Sequence, residues 1–170
     1  MADLEGRHSR VGPRRGLRAL ARDNSAVAAV EFAVLGPVFL LLVCMILELG
    51  MALFTQSIMD NALRDAARLI RVGQAGSSTT FVAAVCDKIG SFLGPSCTTS
   101  LQYYVASASS FGTLTPETGT LSDSYTAGGS GADMLAEIGY DRATLIPWAT
   151  EFFGASQMLI STVVFQNEPY

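Results

Sequence analysis

The sequence has almost no histidine, which excludes several kinds of catalytic and metal site. Its single histidine, His8, lies within the first 26 residues, and residues 73–170 contain none. A Ser-His-Asp or Cys-His arrangement therefore cannot form in that segment. Cys86 and Cys97 alone cannot complete the four ligands of a zinc site. The chain also lacks a glycine-rich phosphate loop and a Cys-x-x-Cys motif. We therefore expect neither enzymatic activity nor a metal or other cofactor.

Charged residues are scarce as well, at 15% of the chain, and one long stretch is almost free of them. Between Ala33 and Phe54 only Glu48 is charged. About twenty apolar residues in a helix cross roughly 30 Å of hydrocarbon, and a soluble core helix is rarely apolar on every face. Residues 27–54 are therefore predicted to form a transmembrane helix.

The helix is predicted to continue beyond the membrane. Residues 55–72 place apolar side chains on one stripe at helical spacing, and no glycine or proline separates them from the span until Gly73. We predict one helix from Val27 to Val72, apolar in its first part and amphipathic in its extension. Gly36 and Pro37 mark the expected position of a kink, because proline removes a backbone donor and crowds the preceding turn.

The distribution of charge predicts the orientation of this helix. Residues 1–26 carry six arginines against three acidic residues, whereas residues 55–170 carry five basic and ten acidic residues. Short flanks rich in arginine stay in the cytoplasm. We therefore expect a basic cytoplasmic leader over residues 1–26 and an exported domain over residues 73–170. The acidic balance of that domain argues against nucleic acid as a partner.

The two cysteines of the exported segment are expected to pair. Cys86 and Cys97 are close in sequence, and thiols in an oxidising compartment form disulfides. The alternative is two buried free thiols. The third cysteine, Cys44, lies in the predicted span.

The exported segment shows both helical and strand patterns, which indicates an α+β fold with short helices and a small antiparallel sheet. The predicted elements are a helix over Phe81–Phe92, a strand over Leu101–Ala108, a surface loop over 109–131 with one short strand near Leu121–Thr126, a weak helix over Ala143–Phe153 and a strand over Gln157–Phe165.

Two further groups of residues have ordinary structural explanations. Asp133, Glu137 and Asp141 recur every four residues, and we interpret them as a solvated acidic helix face rather than a cation site. The aromatic residues near the end of the chain are expected to fill the core. These are Trp148, Phe152 and Phe153.

The first part of the chain resembles a known family. A basic leader, small residues and a Glu-Phe pair five and six positions into an apolar helix are similar to the signal of prepilins. The closer resemblance is to the TadE-like pseudopilins, or minor pilins, of tight-adherence (Flp-type) pilus systems. The residues that carry it are Ala28-Ala29-Val30-Glu31-Phe32-Ala33-Val34, Pro37, Glu48-Leu49-Gly50, Asp65-Ala66-Ala67-Arg68 and the ending Asn167-Glu168-Pro169-Tyr170.

The resemblance implies a pilin-like protein of the bacterial inner membrane with a periplasmic domain. A prepilin peptidase would cut it on the cytoplasmic side, between Ala26 and Val27, where the family usually has glycine before the cut. Other pilins, pseudopilins and the pilus assembly platform are the implied partners. Glu31 and Phe32 would then set the assembly register.

Glu48 is a second carboxylate of the span, near its far end, and could reach the opposite interface or a partner helix. A different interpretation is an uncleaved single-pass protein whose exported domain binds a partner or ligand. Glu31 argues against it, because a permanent anchor gains nothing from a carboxylate at the membrane edge.

Overall fold

The computed structural model describes residues 24–169, with side chains from Val27 onward. The predicted leader lies outside this range except for its last three residues, and so do His8 and Tyr170. The chain divides into two units, Met1–Cys44 and Met45–Tyr170.

The long helix is confirmed. Helix α1 runs from Asn24 to Arg71 without a break and passes through Pro37, so it begins three residues before the predicted start and ends one before the predicted end. It is long and apolar enough to cross a membrane. A bend at Gly36 and Pro37 remains a prediction.

The second unit adds to the end of α1 one further helix, several short helical turns and a sheet. Helix α2, Ser78–Leu93, confirms the predicted short helix; the Ser77 hydroxyl caps it by accepting a hydrogen bond from the Thr80 N–H. Gly94, with a φ of 77°, ends α2, and a single turn, α3, follows at Cys97–Ser100. Cys86 of α2 and Cys97 of α3 form the predicted disulfide, with Cα atoms 5.9 Å apart.

The sheet has four strands in the order β2-β1-β3-β4. Their bounds are Leu101–Ala108 for β1, Ser124–Tyr125 for β2, Asp133–Ala143 for β3 and Ser156–Gln166 for β4. The strands β1 and β4 match the predicted ones, and β2 falls within the predicted short strand. β3 pairs antiparallel with both β1 and β4, whereas β2 pairs parallel with β1. The sheet is therefore mixed rather than wholly antiparallel as predicted.

One face of the sheet packs on helices α1 and α2 to form the core. The stripe predicted along α1 is buried there, which explains why the helix continues beyond its apolar half. Burying a side chain of the size of Leu63 or Met59 contributes about 1.5–3 kcal/mol. The largest fully buried apolar side chains are Met59, Leu63, Phe81, Val85, Ile89, Val105, Met134, Leu135 and Ile138.

The prediction of an acidic helix face is wrong. Asp133, Glu137 and Asp141 lie on strand β3, in the middle of the sheet, and only Asp141 is exposed. A strand alternates its faces, so a spacing of four residues puts all three on one face. The 109–131 loop covers part of that face: Leu121 lies against Gly139, where an added Cβ would be 3.2 Å from the leucine side chain.

The prediction for residues 143–153 is also largely wrong. Only a 3-10 turn, Pro147–Ala149, and a single helical turn, α4, Thr150–Phe153, form there, within the connection between β3 and β4. Trp148 and Phe152 do not fill the core as expected but are exposed, while Phe153 is half-buried. Proline at position 147 cannot donate the backbone hydrogen bond that a longer helix would need.

Candidate functional site

The described part of the first unit is a helical surface on which almost every apolar side chain is exposed. Phe32 is 78% exposed, and Val30, Leu35 and Leu40 are similarly uncovered. An isolated helix with such a surface needs lipid or another helix around it. Glu31 lies on this surface and is exposed too. Among the described residues, no side chain or backbone group pairs with its carboxylate.

Phe32 and Gly36 lie next to each other on the surface of the same helix. The Phe32 ring lies 3.7 Å from the position that a Cβ of Gly36 would occupy. Together with Pro37 and Leu40 they line an apolar groove of about 470 Å³. Small residues on a membrane helix allow another helix to approach closely, so this face is suited to helix packing.

Glu48 lies in the second unit, where it is only 2% exposed. Arg142 donates a hydrogen bond from Nη1 to Glu48 Oε1 at 2.7 Å. The Leu145 backbone N–H donates to Glu48 Oε2 at 3.2 Å. A buried charge is tolerated only when it is paired and hydrogen-bonded, and both conditions hold here. Glu48 therefore faces the domain, rather than lipid or a separate partner helix.

Arg142 is the only basic residue after Lys88. Strand β3 places it on the same face as Met134, Ala136 and Ile138, and this face packs on the helices. Arg142 is itself buried, and its other terminal nitrogen, Nη2, has no hydrogen-bond partner among the described residues. The one basic residue after Lys88 thus neutralises a carboxylate of α1.

Further polar contacts hold β4 along α1. Gln56 donates from Nε2 to the Ile160 carbonyl at 3.0 Å and to Ser161 Oγ at 2.9 Å. Ser161 Oγ donates to Asp60 Oδ1 at 2.6 Å. Near the end of the helix, the Glu168 N–H donates to the Arg71 carbonyl at 3.0 Å. We call these contacts, together with the Glu48–Arg142 pair, the polar seam; it fixes α1 against the sheet from Glu48 to Arg71.

Glu137, on the outer face of β3, is a buried carboxylate that serves a different segment. Its Oε2 accepts the Glu117 N–H at 2.8 Å, and its Oε1 accepts the Thr162 hydroxyl at 2.8 Å. Glu117 in turn accepts the Ser122 N–H at 2.7 Å. Glu137 therefore anchors the loop that covers this face of the sheet. Within the part of the chain that is described, no group of three or more His, Cys, Asp or Glu residues could hold a metal ion.

The residues singled out in the sequence separate into two groups. Ala26 and Val27 lie in the first turn of α1, and Glu31, Phe32, Gly36 and Pro37 follow on the same helix within the first unit. Glu48 and the disulfide of Cys86 and Cys97 belong to the second unit. The sequence did not predict the other side chains of the polar seam, which are those of Gln56, Asp60, Arg142 and Ser161.

The family model described as TadE-like protein matches residues 26–68, which confirms the resemblance drawn from the sequence. The match begins at the residue before the predicted cut and covers most of α1 but none of the sheet. No curated protein and no solved structure matches the chain.

Proposed function

We propose that this chain, whose long N-terminal helix is TadE-like, is a pseudopilin or minor pilin required to assemble a tight-adherence type IV pilus. It is inserted once in the bacterial inner membrane, with its leader in the cytoplasm and its α+β domain in the periplasm. A prepilin peptidase removes residues 1–26. The mature helix then acts by packing against other pilins or pseudopilins in the membrane or in the filament.

The observation that carries the proposal is the Glu31 carboxylate on an otherwise apolar, exposed helix of a TadE-like segment. Glu31 has no partner among the described residues of this single chain. A charge at the centre of a bilayer costs about 3 kcal/mol on insertion scales, so an unpaired carboxylate at the membrane edge cannot move deeper into lipid without a partner. A carboxylate near a helix N-terminus is also favoured by the helix dipole, but that effect needs no membrane and no partner.

Cleavage would supply the missing partner. The new α-amine of Val27 has an unperturbed pKa near 8, as α-amines do, and carries a positive charge at neutral pH. Glu31 of a neighbouring subunit can neutralise that amine, and the pair sets the axial register of the two helices. The groove beside Phe32 and Gly36 provides a surface on which the neighbouring helix can pack.

The first test replaces Glu31 in cells that carry the matching pilus system and lack their own copy of this protein. Glu31→Val is expected to be synthesised, inserted and cleaved normally but to abolish incorporation into the pilus machinery. Glu31→Asp keeps the charge and should retain part of the activity. Glu48→Gln, for which the sequence alone predicts a milder effect, is not a neutral control, because it leaves the buried Arg142 guanidinium without its carboxylate. Asp87→Asn, which removes an exposed carboxylate from α2, is the matched control and should leave the number of pili unchanged. Normal numbers of surface pili with Glu31→Val would remove the register mechanism.

The second test concerns processing. Ala26→Gly should be cut at least as well as the natural sequence, because glycine is the usual residue before the cut in this family. Ala26→Leu should be cut poorly, because the position requires a small side chain. Gel mobility and N-terminal sequencing of protein purified from membranes distinguish the two forms. An intact leader on functional protein would favour the alternative, an uncleaved anchor for a binding domain.

A further inference from the structure

The connection between β3 and β4 carries apolar side chains that the fold does not bury. Residues 144–155 join the two strands, and within them Leu145 is 60% exposed, Trp148 41% and Phe152 64%. Only one charged residue, Glu151, lies in this segment. We call residues 144–155 the apolar loop. Three large apolar side chains are thus exposed within eight residues of one another, which makes the loop a candidate interaction surface.

The polar seam determines where this loop lies along α1. Arg142, two residues before the loop, pairs with Glu48, and the Leu145 N–H binds the same carboxylate. β4 leaves the loop and runs along α1 toward its C-terminal end, through Gln56 and then Arg71. The apolar loop is therefore at the end of the domain where α1 enters it.

The same level of α1 is where a membrane boundary is expected. A helix needs about twenty residues to cross the hydrocarbon, and the twentieth residue counted from Val27 is Ile46. Around Glu48 the uncovered side of α1 is apolar, since Ile46, Leu47 and Leu49 are all exposed. The exposed surface of the helix at the level of the loop is thus one that lipid would cover.

We propose that the apolar loop is a second membrane contact, in which Leu145, Trp148 and Phe152 enter the bilayer interface on the domain's side. Tryptophan suits this position because its ring is apolar and its indole N–H binds water or headgroups. Glu151 keeps the loop at the headgroup level, because its carboxylate must remain hydrated. The loop and α1 together hold the domain at a fixed height and tilt on the membrane. The proposal depends on membrane insertion of α1 but not on pilus assembly.

The chain contains one tryptophan, so its own fluorescence reports on the loop. Full-length protein is reconstituted into phosphatidylcholine vesicles, with or without lipids brominated on the upper part of their acyl chains. Brominated lipids should reduce the emission of Trp148 about twofold, as expected for an indole at the membrane interface. Iodide in the buffer should quench this emission about threefold less than it quenches that of the unfolded protein without detergent. The emission maximum should also lie at shorter wavelength than that of the unfolded chain.

The matched control moves the reporter to the opposite end of the sheet. Phe111 is 49% exposed and follows β1, whose last residue Ala108 pairs with Asp133 at the far end of β3 from Arg142. In the double variant Trp148→Phe/Phe111→Trp the tryptophan should respond to iodide and not to brominated lipids. Both positions are exposed, so the fold should persist, and oxidation of Cys86 and Cys97 verifies it.

The outcomes separate the proposals. If α1 stays in the vesicles after alkaline extraction but iodide quenches Trp148 as strongly as the control tryptophan, the loop is not a membrane contact. If Trp148 is shielded from iodide and from brominated lipids alike, it contacts protein instead, and the proposal is again overturned. Failure of the chain to insert at all would overturn both this proposal and the proposed function. Leu145→Ser/Phe152→Ser should reduce lipid quenching of Trp148 without releasing the chain from vesicles.

Discussion

Among the individual residues, Glu48 is a charged side chain that is almost completely buried. A buried carboxylate in an apolar helix costs several kcal/mol unless it is compensated, and Arg142 and the Leu145 N–H provide the compensation. The attraction within such a pair often only offsets the loss of hydration of the two charges. We therefore infer that the pair matters mainly for placement: it fixes which turn of α1 meets the end of β3.

This balance predicts an asymmetry between single and double variants. Arg142→Met leaves Glu48 buried without a cation and should lower the free energy of unfolding by about 3–5 kcal/mol. Glu48→Met/Arg142→Met replaces both charges by apolar side chains of similar length and should cost much less, about 1 kcal/mol or nothing. Chemical denaturation of the full chain in detergent, followed by Trp148 fluorescence, measures both.

The exposed Arg68 supplies the control for this comparison, since Arg68→Met should change the stability by less than about 0.5 kcal/mol. If the double variant is as unstable as Arg142→Met, the burial of an unpaired charge does not explain the loss of stability. The specific geometry of the two charges would then determine it.

The sequence predicted one half of this pair and not the other. Glu48 was recognisable because a carboxylate in an apolar run always needs an explanation. Arg142 was not, because its partner is 94 residues away and no local pattern links them. The alternation of Met134, Ala136, Ile138 and Tyr140 was the available signal, since it places Arg142 on the inner face of a strand.

The elements with one buried face were predictable, and those buried on both faces were not. Helices α1 and α2 and strands β1 and β4 carry periodic apolar residues, and their positions were predicted to within about three residues. Strand β3 lies between β1 and β4 and is covered by helices on one face and by a loop on the other, so its buried residues do not alternate with exposed ones. The spacing of its acidic residues by four therefore suggested a helix face. The loop that donates a hydrogen bond to Glu137 lies 20 residues away in sequence, so no local pattern showed that this carboxylate is buried.

Glu137 should therefore control the order of that loop. Glu137→Ala removes the acceptor for the Glu117 N–H and the Thr162 hydroxyl, and the loss of these two partly buried hydrogen bonds costs about 1–3 kcal/mol in all. We expect the loop to open, so that a protease specific for large apolar residues cuts after Leu121, which is buried in the native fold. Limited proteolysis followed by mass spectrometry locates the new cut.

Cleavage after Phe111, which is already exposed, provides the internal reference for accessibility. Glu151→Ala removes an exposed carboxylate from another loop and should leave the cutting pattern unchanged. Protection of Leu121 in Glu137→Ala would show that the apolar contact with Gly139 holds the loop without the hydrogen bonds.

For the whole molecule, the two units present different surfaces to their surroundings. The described part of the first unit exposes apolar side chains almost throughout, whereas the second buries a core and has an acidic excess outside the helix it shares. Length and composition were sufficient to predict a membrane helix followed by a small domain. They were not sufficient to predict that the domain meets α1 as early as Glu48, because that depends on contacts between residues distant in sequence.

The orientation of the whole molecule depends on a modest difference in positive charge. Basic residues within about 15–20 positions of a span set its direction, while acidic residues contribute little. All six leader arginines lie within 20 positions of Val27, and Arg64, Arg68 and Arg71 lie that close to Phe54 on the domain side. Removing three leader arginines should therefore abolish or reverse the preference for a cytoplasmic leader.

We predict that Arg15→Gln/Arg18→Gln/Arg22→Gln inserts in both orientations, and the disulfide provides the readout. Domains left in the cytoplasm should keep Cys86 and Cys97 as free thiols that a maleimide reagent labels, whereas exported domains should be oxidised and resist labelling. The background variant Cys44→Ala removes the third thiol. Arg64→Gln/Arg68→Gln removes charge from the other side, strengthens the bias and should leave the domain fully oxidised. A leader variant that remains fully oxidised would mean that the domain is exported independently of the leader charge, and the charge argument for orientation would then be wrong.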